Sequence, residues 1–332
     1  MTLLTPKLGG SGARGGVVAG RGGLVLGMVF LTAAVTRPAE AQHAIATTVT
    51  TEATLLKAST DAPDTVVRKS TKPVRGRTFV KSQVQNQRVA AAKYEKRFAI
   101  KQLFRDRGIA YPAEQVFVRI FKRERLLELW AQSAGQDTFA LLKSYEICAL
   151  SDKLGPKRAQ GDLQTPEGFY YIDDFNPRSG FHLSLHIDYP NRSDRVLGRD
   201  NLGGDIFIHG GCKTEGCMAV TDENIKEIYW IAVEARDNGQ TRIPVHIFPT
   251  RLNDNNMAQL MNVFAKERDL LRFWSNLKPG YDYFAQNKKL PDVTVNARGR
   301  YQYDKSEGLL GQPADPPKVA APVATPDSAK GN

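Results

Sequence analysis

The sequence predicts a mainly β protein with flanking helices, in the α+β class. Short runs of β-branched and aromatic residues recur between about residues 116 and 248, with turn-forming residues every ten or so positions. Stretches with apolar residues at helical spacing lie before and after these runs, and another interrupts them. Many short strands joined by turns are typical of a β-sandwich or barrel. We therefore expect one β domain with helices packed around it.

The chain divides into segments that differ in composition and periodicity. In chain order we predict a signal peptide (1–41), a disordered linker (42–85), an N-terminal helix (86–113), the β domain (114–250), a helical extension (251–307) and a disordered tail (308–332). The linker has no sustained period, and the tail is too poor in apolar residues to fold.

The N-terminus has the features of an export signal. Basic residues precede an apolar run at 24–35, and Ala39 and Ala41 supply the small residues that a signal peptidase requires. The run is shorter than the roughly 20 residues that span a bilayer, which favours cleavage before Gln42 over an uncleaved anchor. The sequence thus predicts export to the periplasm or cell envelope, with no stable membrane span after signal removal.

Three helices are expected. The first begins near Val89 and ends near Gly108. Its predicted apolar stripe consists of Tyr94, Phe98, Ile100, Leu103 and Phe104. The second starts at Thr221, whose hydroxyl can cap the first turn while acidic residues stand at the positive end of the helix dipole. The third extends from about Asn255 to Trp274.

Strands account for most of the remaining pattern. In chain order they are expected at residues 116–121, 127–132, 139–150, 168–172, 181–187, 205–208 and 245–248. Residues 133–137 have the composition of a hairpin loop between the second and third strands.

The formal net charge of +11 favours anionic surfaces as partners. Nucleic acid, membrane headgroups and acidic polymers all have that character. The Lys and Arg residues are scattered rather than clustered beside aromatic residues, and the sequence contains no nucleic-acid-binding motif. Nucleic acid is therefore not an expected partner.

The three cysteines of the chain are Cys148, Cys212 and Cys217. In an oxidising compartment an odd number leaves at least one cysteine free, paired between chains or chemically active. Cys217 follows a glycine, and His209 ends an apolar run eight residues earlier. A nearby imidazole can deprotonate a thiol, so this spacing suits a cysteine nucleophile with a histidine general base.

A glycine-rich turn separates the two residues. Backbone N–H groups at Gly210, Gly211 and Gly216 could approach a substrate carbonyl and stabilise an oxyanion. Cys212 and His182 are expected to border the same pocket.

Two other uses of these residues remain open from the pattern alone. Cys212 and Cys217 could form a short-loop disulfide beside a structural His209. Alternatively, His209 and the two cysteines could bind zinc with His182 or His186, although the spacing of a common zinc motif is missing. His182 and His186 are four residues apart, which on a strand places both on one face.

The segment His209-Gly210 followed by Gly216-Cys217 resembles the signature of the L,D-transpeptidase catalytic domain family, the YkuD type. Further motifs occur in the family's order over about residues 114–250: Gly155-Pro156-Lys157, Thr165-Pro166-Glu167-Gly168, and Tyr189-Pro190-Asn191 with Asp194. The last of these resembles the YafK-like branch of murein L,D-transpeptidases.

The resemblance implies a mostly β fold around a catalytic cysteine. Cys217 would be the nucleophile, His209 the general base and acid, and Gly210 and Gly216 would shape the oxyanion pocket. The implied reaction is attack on a peptide carbonyl of a peptidoglycan stem, giving an acyl-enzyme that an amine resolves. No metal or organic cofactor is implied.

The sequence departs from the family at Ala219, where many members carry an arginine. The YafK-like branch shares this loss, and some of its members resemble hydrolases that release wall-attached lipoprotein. Three alternatives to transpeptidation therefore stand: a hydrolase of the same fold, a wall-binding module without catalysis, and a zinc-dependent amidase.

Overall fold

A computed structural model describes residues 78–303 of the 332-residue chain. The predicted signal peptide, most of the predicted linker and the predicted tail lie outside the described residues. The linker prediction is wrong for its last residues, because Thr78–Gln83 forms helix α1. Phe79 of this helix packs edge-on against Phe175, with ring centroids 5.1 Å apart, which explains why the segment is ordered. Within residues 78–303, no helix combines the length and apolar character of a membrane span.

The described part contains six helices and ten strands. The helices after α1 are α2 (Gln87–Asp106), α3 (Arg192–Leu197), α4 (Asp222–Asp237), α5 (Asp254–Val263) and α6 (Arg268–Asn287). The strands are β1 (Gln115–Phe121), β2 (Leu126–Gln132), β3 (Ala140–Glu146), β4 (Gly168–Asn176), β5 (Ser184–Ile187), β6 (Phe207–His209), β7 (Met218–Ala219), β8 (Ile243–Phe248), β9 (Val293–Val295) and β10 (Tyr301–Tyr303).

Eight strands form one curled, mixed sheet in the order β3-β2-β1-β8-β4-β5-β6-β7. The pairs β1–β8 and β6–β7 are parallel, and the other pairs are antiparallel. The sheet is a half-barrel flanked by helices, so the predicted fold class is confirmed. The remaining two strands, β9 and β10, form a separate hairpin. Neither this hairpin nor β7 was predicted from the sequence.

The two ends of the sheet are joined by a short crossing of the chain. The predicted strand 139–150 ends early, at Glu146. The residues after Glu146 leave the β3 edge of the sheet and run to β7 at the opposite edge. There the amide of Cys148 donates to the carbonyl of Ala219 at 2.9 Å, and Ala149 forms a β-bridge with Ala219. Residues next to the first strand of the sheet thus pair with its last strand, and we call this crossing the seam.

Helix α4 lies against one face of the sheet and is covered by α2. It begins as predicted, since the Thr221 side chain accepts a hydrogen bond from the Asn224 amide at 3.2 Å. The α2 prediction is right in extent but wrong for two residues of its stripe. Tyr94 and Phe98 are 71% and 68% exposed. The buried stripe follows the helical period through Val89, Ala92, Ile100 and Phe104.

One helix was predicted at about Asn255 to Trp274. The structure has two helices, α5 and α6, with a break between Val263 and Arg268, and α6 continues to Asn287. They cover a second hydrophobic cluster that includes Phe121, Phe248 and Trp274. The predicted extension is therefore packed on the β domain through its own apolar side chains.

A buried ion pair fixes the segment that crosses from β3 to β4. Lys122 Nζ lies 3.0 Å from Glu167 Oε1, and both side chains are fully buried. The ammonium also donates to the carbonyls of Gly155 and Thr165. Glu167 accepts from the Gly155 amide and from the indole of Trp274, each at 2.7 Å. Because the segment's charges and polar atoms are paired to one another, its backbone is held against the sheet.

Candidate active site

His209 ends β6, and Cys217 directly precedes β7, the neighbouring strand at one edge of the sheet. Strands β6 and β7 run parallel, with His209 opposite Ala219 and Ile208 opposite Met218. Because Ala219 follows Cys217 by two residues, this pairing brings the predicted base beside the segment that carries the predicted nucleophile.

The Cys217 thiol is free and only partly buried. Its sulfur accepts a hydrogen bond from the Phe207 amide at 3.4 Å and lies 3.5 Å from the carbonyl oxygen of Asp205, to which it can donate. Burial raises the pKa of the Cys217 thiol above its usual range, and the Phe207 amide only partly offsets this. At neutral pH we therefore expect the thiol form of Cys217 to predominate over the thiolate.

His209 is almost fully buried and is held by a single strong contact. Its Nδ1 lies 2.6 Å from the carbonyl oxygen of Gly210. A carbonyl oxygen can only accept, so Nδ1 carries the proton and the neutral ring has its lone pair on Nε2. Burial lowers the pKa of His209 below its usual value. The ring of Phe181 packs over the imidazole, with centroids 4.6 Å apart.

The loop between the two residues depends on its glycines for space. A Cβ at Gly216 would lie 2.8 Å from the backbone oxygen of Gln164, and the φ angle of Gly216 is +131°. A Cβ at Gly210 would lie 3.0 Å from the carbonyl oxygen of Phe181. No other residue fits at position 216 without moving the backbone.

The amides of Gly210 and Gly216 have acceptors within the protein, whereas the sequence suggested that they could approach a substrate carbonyl. The Gly210 N–H donates to the carbonyls of Phe181 and Leu183, and the Gly216 N–H donates to Thr214 Oγ1 at 3.1 Å. Both glycines shape the loop in this structure, while their N–H groups already have acceptors.

Cys212 forms a disulfide with Cys148, with Cα atoms 5.3 Å apart. The proposed short-loop pairing of Cys212 with Cys217 is therefore wrong, because Cys148 reaches the loop through the seam. The zinc site considered from the sequence loses Cys212 as a ligand, because its sulfur is bonded to Cys148. In the described range 78–303, no three His, Cys, Asp or Glu side chains form a group that could hold a metal ion.

Residues 109–247 match the family description L,D-transpeptidase catalytic domain, YkuD. The Escherichia coli protein YafK, whose name assigns it provisionally as an L,D-transpeptidase, is 38% identical over 215 residues, in strains K12 and O157:H7 alike. That alignment covers 64% of this chain and 82% of YafK. The chain belongs to the L,D-transpeptidase catalytic domain family. Its function is therefore related to peptidoglycan, on which this family acts.

Solved structures provide weaker likenesses. The helical cell shape determining protein Pgp2 of Campylobacter jejuni is 18% identical, with 55% of this chain and 73% of that chain covered and a TM-score of 0.34. Bd1075 of Bdellovibrio bacteriovorus is 18% identical over 52% of this chain and 62% of its own, with a TM-score of 0.31.

The other histidines named from the sequence lie apart from each other in this L,D-transpeptidase domain. His182 precedes β5 with a left-handed backbone (φ +71°), so the two histidines do not share a strand face. Asp222 and Lys226 are its charged neighbours, and burial lowers the pKa of His182. His186 pairs with Asp173 at 2.6 Å. It lines a cavity of about 430 Å³ together with Asp205 and Phe207, whose backbone atoms contact the Cys217 sulfur.

The Tyr189-Pro190-Asn191 and Asp194 motif of the domain is structural. Asn191 and Asp194 form a capping box at the start of α3. Asp194 is fully buried and accepts from Arg158 at 2.8 Å and Tyr170 at 2.9 Å. Burial raises the pKa of Asp194 to about 6 despite these partners. The motif therefore holds α3 and β4 together away from the thiol.

Several residues around the thiol were missed from the sequence. Asp205 and Phe207 act through backbone atoms, which carry no side-chain signal. Thr214 accepts from the Gly216 amide and donates to the Cys217 carbonyl at 3.1 Å, so it fixes the loop around Cys217.

We predict that alkylation of Cys217 by iodoacetamide accelerates by about tenfold per pH unit between pH 6 and pH 8, because only the thiolate reacts and the raised pKa keeps it scarce. The rate is measured by mass spectrometry, and the Cys217→Ala protein is the control because the other two cysteines are paired. A rate that is constant over this range would instead indicate a preformed thiolate–imidazolium pair.

We predict that replacing both Cys148 and Cys212 by serine lowers the free energy of unfolding by about 2–4 kcal/mol. The bond joins positions 64 residues apart, so its loss releases a long loop in the unfolded chain. Urea unfolding measures the effect. Reductant should destabilise the parent protein and leave the double variant unchanged; equal sensitivity of both would contradict the prediction.

Proposed function

We propose that this protein is an exported, cysteine-dependent enzyme of peptidoglycan remodelling, with Cys217 as nucleophile and His209 as general base and acid. The observation that carries the proposal is that Cys217 has a free thiol and His209 has an unprotonated ring nitrogen. Cys217 is the cysteine left free by the Cys148–Cys212 disulfide, and the proton on His209 Nδ1 leaves Nε2 available as a base.

The reaction begins with transfer of the Cys217 proton to Nε2 of His209. The sulfur attacks a peptide carbonyl of a wall stem, and the carbon–nitrogen bond then breaks as the imidazolium returns its proton to the leaving amine. The remaining acyl-enzyme is attacked by an amine acceptor, whose proton passes to His209 and then to the departing thiolate. His209 handles every proton in this sequence, so the cycle closes without a cofactor.

Water is the alternative acceptor of the acyl group. The surroundings of Ala219 are a reason to retain hydrolysis as a candidate reaction. Ala219 is fully buried, its N–H donates to the Ala149 carbonyl, and its own carbonyl accepts from Cys148. Both backbone groups of Ala219 are thus bonded to the seam, and its methyl group brings no charge to this position. Without a cation at this position the enzyme lacks one group that could hold a stem carboxylate, which supports hydrolysis of stem or wall-lipoprotein linkages as the second candidate reaction.

The test is incubation of the purified protein with defined wall fragments, with and without a free amine acceptor, followed by mass analysis. Cross-linked products that require the acceptor support acyl transfer. Shortened stems or released lipoprotein peptide, with or without acceptor, support hydrolysis. Fragments left unchanged by the parent protein, and identical to those from Cys217→Ala, would overturn both and favour a wall-binding module. Activity removed by a chelator would favour the zinc amidase.

Export is tested separately. The protein recovered from the cell envelope should begin at Gln42, as the predicted signal-peptidase site requires. A protein that still begins at residue 1 would support the uncleaved anchor.

A further inference from the structure

The Cys148–Cys212 disulfide attaches the loop that leads to Cys217 to the seam. The middle of this loop has few other attachments. Within the part of the chain that the structure describes, residues 211–213 form no hydrogen bond, and all three are exposed. The ring of Phe181 packs beside the first of them, where a Cβ would lie 3.3 Å from a ring carbon. The disulfide is therefore the main attachment of this half of the loop.

Cys148, at the other end of the bond, is held on both sides. Its amide donates to the Ala219 carbonyl at 2.9 Å, and its carbonyl accepts from Arg125 Nη2 at 2.8 Å. Arg125 also donates from Nε to the Ile147 carbonyl at 3.2 Å. Because Arg125 lies in the turn between β1 and β2, the disulfide connects an exposed loop to a hydrogen-bonded part of the sheet.

Two of these attachments enclose Cys217. Residues 212–219 begin at the disulfide to Cys148 and end at the hydrogen bond between the Ala219 carbonyl and the Cys148 amide. We call this segment the closed loop, and Cys217 lies within it, two residues before its hydrogen-bonded end. A short segment with both ends fixed to one residue has few conformations available, so the disulfide restricts where Cys217 can lie.

The backbone of Cys212 indicates that the loop conformation depends on the bond. Its φ angle is +46°, in the left-handed region that residues with a side chain seldom occupy. Release of its sulfur would therefore allow Cys212 to adopt more common backbone angles. The loop would then move, and the Cys217 sulfur would lose its contacts with the Phe207 amide at 3.4 Å and the Asp205 carbonyl at 3.5 Å.

We propose that the Cys148–Cys212 disulfide positions Cys217 for reaction, and that its reduction by a dithiol converts the enzyme to a slower form that is still folded. The inference rests on the proposed function, because it concerns regulation of the same site. A thiolate of the dithiol attacks the sulfur of Cys212, the more exposed of the two residues, and the Cys148 sulfur leaves and takes up a proton. The second thiolate of the reductant then attacks the mixed disulfide and releases Cys212. The reductant is oxidised to a disulfide, and the protein gains two thiols.

The experiment compares two rates in each protein. The first is alkylation of Cys217 by iodoacetamide, which needs no substrate and is assigned by peptide mapping. The second is product formation from defined wall fragments. The test variant replaces both Cys148 and Cys212 by serine, and thermal unfolding verifies that each protein is folded at the assay temperature. The parent is also assayed for product formation after treatment with dithiothreitol.

Two further variants separate position from stability. The matched control, Asn253→Ala with Leu260→Val, removes the N-cap of α5 and part of its buried face, so it lowers stability outside the closed loop. Arg125→Gln keeps the disulfide and removes the guanidinium that holds Cys148. If the double serine variant does not fold, Arg125→Gln decides the question by the same two rates.

We expect the double serine variant to form product at least about tenfold more slowly than the parent, with a larger change in kcat than in KM, because a shift of about 1 Å in a reacting atom is enough for such a loss. Its Cys217 should be alkylated at least about threefold faster at pH 7. Burial raises the pKa of this thiol, and a less buried thiol ionises more readily.

The other proteins have distinct expected results. The α5 control should match the parent within about twofold in both rates, and Arg125→Gln should show both changes to a smaller extent. Dithiothreitol should slow the parent and the α5 control to the rate of the double serine variant, and leave that variant unchanged.

Equal product formation by the parent and the double serine variant, or an equal loss in the α5 control, would overturn the positioning role. Slower product formation with alkylation at the parent's rate would also overturn it, because the thiol would not have moved. Alkylation requires no turnover, so a parent protein that forms no product contradicts the proposed function, while the alkylation rates still test the position of Cys217.

Discussion

Replacement of Cys217 by alanine should lower the rate of product formation from wall fragments by at least about 10³-fold. The sulfur is the only atom in the proposed cycle that bonds to the substrate, and removal of a nucleophile leaves only the contribution of substrate binding. The measurement is product formation under single-turnover conditions, with mass detection of the acyl-enzyme in the parent protein. Retention of activity within tenfold of the parent would rule Cys217 out as nucleophile.

The variant His209→Asn tests the role of His209 as a base while it keeps the hydrogen bond to the Gly210 carbonyl. The asparagine amide can still donate to the Gly210 carbonyl, as Nδ1 does at 2.6 Å, but offers no base where Nε2 stood. We expect a loss of about 10²–10⁴-fold with an unchanged unfolding transition. Because the thiolate also forms without a base at high pH, activity of this variant should recover as pH rises through the raised pKa of Cys217. A loss that is the same at every pH would point to a structural cause.

Glu167→Gln should destabilise the fold more than any other single substitution considered above, by about 3–5 kcal/mol. It leaves the Lys122 ammonium in a fully buried position without its counter-charge, at 3.0 Å from a neutral amide. Burial already lowers the pKa of Lys122, and Glu167 is the main group that opposes this shift. Urea unfolding at pH 7 measures the change.

Two variants control this prediction. Lys122→Met combined with Glu167→Gln removes both charges, so the double variant should lose less than the sum of the two single variants. Asp269→Asn removes the carboxylate of an exposed pair with Arg272, whose side chains are 93% and 45% exposed, and should leave stability essentially unchanged. A Glu167→Gln protein as stable as the Asp269→Asn protein would contradict the assigned role of the pair.

The sequence predicted the β domain well because its strands are short, regular and bounded by turn residues. All seven expected strands have counterparts in the sheet, and the one that ends early, at Glu146, does so for a tertiary reason. Tyr94 and Phe98 were placed on the wrong face because hydrophobicity alone does not distinguish a core stripe from an exposed aromatic pair. The break between α5 and α6 falls within a stretch of continuous helical periodicity, where no proline or glycine marks it.

The site was predictable only as far as it is local in sequence. His209 and Cys217 lie on one short segment, so their spacing and the glycines between them were visible. The partner of Cys212 was not, because Cys148 lies 64 residues away and reaches the loop only through the seam. The contributions of Asp205 and Phe207 come from backbone atoms, and the Nδ1 contact of His209 depends on the direction of one carbonyl. Such features are properties of the assembled fold.

The seam also bears on when, relative to export, the surroundings of Cys217 can be completed. The strand that follows Cys217 is bordered on its outer side by residues that follow β3, so the surroundings of Cys217 are complete only when both parts of the chain are present. The covalent tie there requires an oxidant, which the cytosol of most bacteria does not supply to thiols. If synthesis and export proceed as proposed, the chain crosses the membrane with its loop untethered and acquires its final form in the compartment that holds its substrate. On that proposal, an enzyme that acts on peptidoglycan is completed in the same compartment as its substrate.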